Sequence, residues 1–320
     1  MLKQLVEIIA MCAQAPDGGL SAVDSAFRTR IPAHIETGAL QAAGVPLPID
    51  GSRYRAYFAT TKGWALDDNP VKPLAAPGLT VISNACVSGA QAVIEAVDAL
   101  LDGDCDLAAV NGGDAITGFI RAGFASLKAT GSGRARPFDR ERDGLTLGTG
   151  DATIELRRAG GNSPYPCVVS YGCSNDANHI SGPSQDGSGL ALAILRALEG
   201  IDPREIRAIC AHGTATVYND AMEARAFHAV FGASPPPVFG IKGAIGHTLG
   251  AAGLIEVIVS ALVATEGVIP PTVGFEHGEG EFPLDVVHGE PRRIEPGYVL
   301  TTNSGFGGMN TAIVVGPGKP

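Results

Sequence analysis

Short apolar runs alternate with amphipathic stretches along most of this chain. Tyr54–Thr61 and Gly78–Asn84 have the composition of buried strands, and apolar residues then recur at helical spacing through AQAVIEAVDALLDG. A further apolar strand, Leu107–Val110, ends at a glycine-rich sequence, Asn111–Asp114, that is typical of a tight turn. This strand–helix–strand succession predicts an α/β protein built from layers of helices and sheet.

The second part of the chain repeats the pattern. Its predicted elements are strand Cys167–Tyr171, helix Gly189–Leu198, strand Ile206–Ala211, helix Asp220–Phe231, helix Ala251–Glu266 and closing strands Tyr298–Thr302 and Thr311–Val315. The repetition predicts two similar halves, residues 1–160 and 161–320, that meet near residues 157–165. At the N-terminus, Leu2–Met11 has a pattern that favours a helix.

Composition narrows the class of protein. Hydrophobic residues make up 45% of the 320 residues and charged residues 18%, which indicates a heavily buried globular protein. The net charge of −10 argues against nucleic-acid binding. The apolar segment Leu254–Val263 is too short to span a bilayer and contains Glu256, so a buried helix is predicted. Without a recognisable secretory signal, we expect a cytoplasmic protein with no membrane span.

The cysteine and histidine spacing bears on metals and disulfides. Six cysteines occur without a CxxC pair, and the histidines lack metal-ligand spacing, so we expect reduced thiols and no metal site.

Cys86 is the first candidate for chemistry. It lies where a predicted buried strand turns into a helix, and the helix start is expected to favour thiolate and to supply backbone N–H donors. The alternative is a small buried core cysteine.

Two histidines and a glycine-rich loop are further candidates. His212 follows a predicted strand on a Gly-Thr turn, where α/β proteins place ligand sites, or it is a structural turn residue. His247 lies among glycines that permit close approach of a ligand, or it merely caps the next helix. The loop Gly305–Gly308 is either a movable gate or a tight turn, and it lacks the dinucleotide-binding pattern.

Six motifs resemble those of β-ketoacyl synthases of the fatty-acid and polyketide kinds, in the same order. They are NACVSGAQA around Cys86, RPFDRERDG at 136–144, DANHISGPSQDG at 176–187, HGTATVYNDAMEA at 212–224, KGAIGHTLGAAG at 242–253 and NSGFGGMN at 303–310. The resemblance runs from about residue 54 to the C-terminus. It implies a thiolase-like duplicated fold of five αβαβα layers, with a truncated first half.

The resemblance also implies roles for individual residues. Cys86 would carry the acyl chain, and His212 and His247 would assist decarboxylation of malonyl carrier protein and stabilise the enolate. Lys242 would organise the site with Glu223 nearby. Thr214 and Thr216 would meet the phosphopantetheine arm, Phe306 would gate the pocket and complete the oxyanion hole, and Asn310 would support the site. The implied reaction is decarboxylative Claisen condensation with no cofactor beyond that arm, which belongs to an acyl carrier protein.

Several departures from the family pattern leave alternatives open. The chain is short before Cys86, no opening strand is visible at its N-terminus, and LGTGD at 147–151 replaces the usual turn. Val87 and Ser304 also differ from the common residues. A partner subunit of the chain-length-factor type, paired with a longer ketosynthase, is therefore the rival interpretation, and a priming decarboxylase or acyltransferase is a third. Either a homodimer or such a heterodimer is expected.

A local basic cluster could receive an acidic carrier protein despite the negative net charge. It consists of Arg121, Lys128, Arg134 and Arg136 around the ATGSG sequence. A solvated loop is the alternative.

Overall fold

A computed structural model describes residues 5–14, 53–62, 79–278 and 280–318. Its elements are β1 Val6–Gln14, β2 Tyr54–Ala59, β3 Thr80–Ile82, α1 Ser88–Leu101, β4 Leu107–Asp114, α2 Gly118–Ser126, β5 Gly150–Arg158, β6 Cys167–Asn175, α3 Ser188–Ala197, β7 Ile206–Cys210, α4 Val217–Phe231, β8 Val238–Phe239, α5 Lys242–Ile245, α6 Ala252–Glu266, β9 Val268–Ile269, β10 Arg292–Arg293, β11 Tyr298–Gly305 and β12 Met309–Gly316.

Ten of these strands form one mixed sheet in the order β3-β2-β4-β5-β1-β6-β12-β11-β7-β8. Strands β3, β2 and β4 are parallel, as are β11, β7 and β8. The four strands between β4 and β11, which are β5, β1, β6 and β12, run antiparallel to their neighbours. Each group of five has the same order when read outward from the middle, where β1 pairs with β6. This arrangement agrees with the predicted α/β class. The division into residues 1–160 and 161–320 stays a prediction.

Helices α1 and α6 pack against each other between the two groups of strands, while α3 and α4 lie on the second group. The close approach of α1 and α6 depends on Gly89, where a Cβ would lie 2.7 Å from the Leu254 backbone nitrogen. The two central helices thereby bring the end of β3 next to the start of α6, which is where the site lies.

Helix α6 is the most apolar helix of the described residues. With the preceding turn, Leu249–Glu266 is long and apolar enough to cross a membrane by length and composition, but 83% of it is buried inside the molecule. The buried helix predicted around Leu254–Val263 is therefore present, and it packs against β11 and β12.

The start of the chain was predicted wrongly. Val6–Gln14 is a strand rather than part of a helix, and it supplies the opening strand that no pattern in the sequence indicated. A register shift between Ile8 and Ala10 breaks the alternation that would have indicated a strand. Pairing with β5 on one side and β6 on the other overrides the local pattern.

The predicted turn at Asn111–Asp114 is also wrong, because β4 continues through Asp114. Its glycines are needed for packing rather than turning. A Cβ at Gly112 would lie 3.3 Å from the Leu254 side chain.

Candidate active site

A cavity of about 390 Å³ is lined by residues at the end of α2 and reaches Cys86, just before α1, and His247, just after α5. Loops from both groups of strands line it. Six residues singled out from the sequence face it together: Cys86, His212, Thr214, Thr216, His247 and Phe306.

Cys86 lies at the bottom of this cavity. It follows Ala85, which has a left-handed φ of 47°, and it precedes the first turn of α1, which begins at Ser88. Burial raises the pKa of the Cys86 thiol to about 11, against the opposing effects of the Lys242 charge and a hydrogen bond from the Phe306 backbone. Burial therefore opposes the preference for thiolate that the helix start was expected to give, and that preference stays a prediction.

His212 is buried and accepts hydrogen bonds on one ring nitrogen. Its Nδ1 lies 3.2 Å from Lys242 Nζ and 3.2 Å from Asn303 Nδ2, and both of these nitrogens are donors. The proton of the neutral ring must therefore be on Nε2. Burial, followed by the charge of Lys242 and the nearby His247, lowers the pKa of His212 well below its usual value, so the ring is neutral at pH 7.

His247 has the same tautomer for a different reason. Its Nδ1 accepts a hydrogen bond of 3.2 Å from the Leu249 backbone N–H, and its buried Nε2 has no hydrogen-bond partner in the described structure. Burial and the Lys242 charge lower the pKa of His247 well below its usual value. The two imidazoles meet edge to face, with ring centroids 5.2 Å apart. Two neutral N–H donors are thus available where an oxyanion would develop.

Backbone bonds hold the His247 loop in place. The His247 N–H donates to the Thr146 carbonyl at 2.7 Å, and the Gly148 N–H donates to the His247 carbonyl at 3.0 Å. On the other side, the fully buried Asp114 accepts the Gly250 N–H at 2.9 Å. The LGTGD sequence that departs from the family pattern therefore forms part of the support for His247.

Lys242 lies behind His212, away from the cavity lining. Its Nζ donates to the His212 carbonyl at 2.5 Å and forms a buried ion pair with Glu256. The carboxylate bonded to Lys242 is thus Glu256 and not Glu223. A glutamate within an otherwise apolar helix was the signal in the sequence, because such a charge must be paired when it is buried.

Glu223 instead shapes the turn that carries His212. Its carboxylate accepts the backbone N–H groups of His212 at 2.8 Å and Gly213 at 2.7 Å, and the side chains of Asn219 at 2.8 Å and Thr302 at 3.2 Å. Burial, with a contribution from the Asp220 carboxylate, raises the pKa of Glu223 to about 8 against those donors.

The upper part of the cavity is lined by hydroxyls and aromatic rings. The hydroxyl oxygens of Thr214 and Thr216 are 2.9 Å apart, which leaves them able to turn toward a polar ligand. Phe306 stacks on Phe124 of α2 with ring centroids 5.6 Å apart. Phe124 was not predicted as a site residue, because the sequence of a short helix does not indicate which distant residue an aromatic side chain contacts.

Asn310 lies outside the cavity lining. Its amide nitrogen donates to Asp176 at 2.6 Å and to the Gly308 carbonyl at 3.2 Å, and its oxygen accepts from Ser304 at 2.7 Å. Asn310 therefore fixes the loop that carries Phe306.

Within the described ranges, no group of three or more His, Cys, Asp or Glu side chains could hold a metal ion. The cysteines whose side chains are described, which include Cys86, are free thiols.

The chain has a thiolase-like fold, in which Cys86, His212 and His247 face one cavity. The chain resembles the solved structure of the ishigamide ketosynthase/chain length factor, with a TM-score of 0.83 and 23% identity, over 98% of this chain and 99% of that chain.

Sequence comparison identifies the family. The N-terminal domain of the β-ketoacyl synthases matches residues 74–160, and their C-terminal domain matches residues 165–276. The chain belongs to the β-ketoacyl synthase family. A 3-oxoacyl-[acyl-carrier-protein] synthase 2 of Mycobacterium bovis is 35% identical over 75% of this chain and 61% of its own length. The tetracenomycin polyketide synthase ketoacyl synthase alpha subunit of Streptomyces glaucescens is 37% identical over 74% of this chain and 59% of its own length. The chain thus spans about three fifths of the curated relatives that it matches.

Proposed function

We propose that this chain is a condensing acyltransferase of the 3-oxoacyl-[acyl-carrier-protein] synthase type, acting in fatty-acid or polyketide synthesis. The observation that carries the proposal is the meeting of Cys86 with two neutral, Nε2-protonated histidines in one cavity. Family membership supports it. The acyl groups would arrive on the phosphopantetheine arm of an acyl carrier protein, and the protein itself would need no cofactor or metal.

In the first half-reaction, Cys86 sulfur attacks the acyl thioester of the carrier. The new Cys86 thioester forms as the carrier thiol leaves, and the thiol proton passes from Cys86 to that leaving sulfur. The backbone N–H groups of Cys86 and Phe306 would hold the oxyanion. Covalent capture frees the cavity for the second substrate and predicts ping-pong kinetics.

In the second half-reaction, malonyl carrier protein enters and loses carbon dioxide. The electron pair of the broken bond becomes an enolate, whose oxygen would accept hydrogen bonds from Nε2–H of His212 and His247. The enolate carbon attacks the Cys86 thioester, and Cys86 leaves as thiolate. Neutral imidazoles suit this step because they strengthen their hydrogen bonds as negative charge develops. Thr214 and Thr216 would bind the arm, and Phe306 would move to admit it.

Intact-protein mass spectrometry tests the proposal. The chain is incubated with acyl carrier protein thioesters, alone and with any ketosynthase that co-purifies, and compared with Cys86→Ala. We expect an acyl adduct on the wild type and none on the variant. Absence of the adduct under every condition would contradict a working nucleophile.

The second candidate is a non-condensing partner subunit of the chain-length-factor type. Two observations favour it: the fold matches 99% of the chain in the solved structure of the ishigamide ketosynthase/chain length factor, and burial raises the pKa of the Cys86 thiol to about 11. In the same experiment, this candidate predicts no adduct together with co-purification of a longer ketosynthase. A priming decarboxylase would instead release carbon dioxide from malonyl carrier protein without forming a longer chain.

Carrier docking is proposed at the rim of the cavity. Lys128 lines the cavity, and Arg121 and Arg134 are exposed residues near it in the sequence. None of the three forms an ion pair with an acidic residue of the described structure. Arg136 is excluded because it pairs with Asp139, Glu141 and Glu276.

Charge reversal tests this docking surface. We expect Lys128→Glu with Arg134→Glu to weaken binding of an acidic carrier protein, measured by calorimetry at low salt, because complementary charges steer association. The control is Arg204→Glu, which reverses the charge of a paired arginine on an exposed turn in a later part of the chain. Unchanged carrier affinity in the double variant would contradict the surface.

A cytoplasmic location and an assembly as homodimer, or as heterodimer with a longer ketosynthase, complete the proposal. Among the strands of the described residues, β3 is the outermost on its side of the sheet, and its residues are partly or fully exposed. An open strand edge of this kind pairs readily with another chain.

A further inference from the structure

Asn303 is a buried side chain near the end of β11 that touches the candidate site from behind. Its Nδ2 hydrogen-bonds Glu256 Oε2 and lies 3.2 Å from His212 Nδ1. A carboxylate only accepts, so the amide nitrogen and not the oxygen must face Glu256. The same nitrogen therefore presents a donor to His212.

The space around Asn303 leaves little freedom for another arrangement. A Cβ at Gly253 would lie 2.8 Å from Asn303 Oδ1, so the glycine makes room for the amide. Asn303 is 1% exposed, and Glu256 is fully buried. Packing and hydrogen bonding thus fix the same orientation of the amide.

Glu256 connects the two donors that meet at His212. One of its oxygens binds Lys242 and the other binds Asn303, while Lys242 and Asn303 both approach His212 Nδ1. An ammonium group can rotate its three N–H bonds and also bonds the His212 carbonyl. The planar amide of Asn303 is the donor with a fixed direction.

We infer that Asn303 is a positioning residue that, held by Glu256, keeps His212 in the Nε2–H tautomer needed for decarboxylation. The inference rests on the proposed function for its effect on catalysis. The tautomer itself is a property of the resting protein. An acceptor in place of the Asn303 nitrogen would instead favour a proton on Nδ1 of His212. Nε2 of His212 would then be an acceptor and could not stabilise an enolate.

The test reverses the polarity of one hydrogen bond while preserving the buried charge. In the double variant Asn303→Asp with Glu256→Gln, the amide at position 256 can donate to the new carboxylate, so the bond and the net charge remain. The group that faces His212 changes from donor to acceptor. The readouts are the ring ¹⁵N shifts of histidine-labelled protein, carbon dioxide release from malonyl carrier protein, and acyl-adduct formation on Cys86.

We expect the ¹⁵N shifts of one histidine to change to the Nδ1–H pattern. Decarboxylation should fall about 100-fold or more, the scale for loss of one oxyanion donor, while the Cys86 adduct still forms. Asn111→Asp is the matched control, because it makes the same change at a buried asparagine that bonds only the neighbouring strand β5. The control should keep the wild-type histidine pattern and decarboxylation rate.

Other outcomes overturn the inference. Wild-type tautomers in the double variant would do so, whether decarboxylation is kept or lost. If the double variant does not fold, Asn303→Ala is measured instead, and an unmixed Nε2–H pattern there would also overturn it. If the wild type forms no adduct and releases no carbon dioxide, the proposed function fails, whereas the ¹⁵N pattern still decides the role of Asn303.

Discussion

At the scale of single residues, burial governs the chemistry of this site. The same desolvation that lowers the pKa values of His212 and His247 also raises the pKa of Cys86 and so favours its thiol form. Neutral histidines are what the proposed decarboxylation requires, whereas a protonated cysteine slows the first attack. The resting cavity is therefore better prepared for the second half-reaction than for the first.

The pH dependence of Cys86 alkylation follows from its raised pKa. Well below a pKa of about 11, the thiolate fraction grows tenfold with each pH unit. We expect the rate of iodoacetamide modification at Cys86 to rise about tenfold per unit between pH 7 and 9. Peptide mass mapping measures it, with Cys86→Ala giving the background from other thiols. A plateau below pH 8 would show that the helix start prevails over burial.

The sequence alone was sufficient to identify the site residues with distinctive chemistry. Cys86, His212 and His247 were placed together because each follows a strand or a glycine turn within a recognisable motif. Glu256 and Asn303 were not placed in the site from the sequence. A glutamate in an apolar helix, such as Glu256, reveals that a partner exists but not which residue it is. Which carboxylate pairs with Lys242 depends on how α6 and β11 pack, a contact between distant parts of the chain.

At the scale of elements, short backbone contacts position the catalytic loops. Strands and helices with regular apolar spacing, such as α1 and β7, were predicted nearly to their ends. Strand β1 was not, because its register shift hides the alternation and its stability comes from two neighbours in the sheet. Elements that depend on such pairing are the ones that local patterns miss.

Gly148 offers a test of loop positioning. A Cβ there would lie 2.1 Å from the Ile245 carbonyl oxygen, so Gly148→Ala must displace the backbone that carries His247. We expect a loss of about 2 kcal/mol in unfolding free energy, within the usual range for overpacking, and reduced decarboxylation. Urea denaturation and carbon dioxide release measure the two effects. Gly133→Ala is the control, since its Cβ would meet nothing within 4 Å. Equal behaviour of the two variants would contradict this role of Gly148.

At the scale of the whole molecule, the candidate catalytic groups come from both sides of one continuous sheet. Cys86 follows β3 at one edge, while His212 follows β7 near the other. Two similar halves, although not the order of their strands, were predicted from the repeated pattern in the sequence. The continuity through β1 and β6 was not, because it depends on only two residue pairs, which begin at Val6 and Val168.

The exposed edge at β3 predicts self-association. We expect light scattering to give twice the 32.7 kDa chain mass for the wild type. The double variant Thr80→Lys with Ser83→Lys should be a monomer, because like charges would meet across the paired edges. Lysines at Ala233 and Ser234, on an exposed turn, add the same charge as a control. A wild-type monomer, or a dimer that survives lysines at the edge, would contradict pairing through β3.

The position of β12 has a consequence for synthesis of the protein. This strand is the latest of those described along the chain, yet it lies inside the sheet between β6 and β11. Until the ribosome releases it, β6 and β11 each keep an unpaired edge, and such edges are prone to pair with other chains. The nascent protein must therefore wait, with two open edges near the centre of its sheet, for β12, so a pause in translation between β6 and β12 should cause aggregation where a pause before β6 would not.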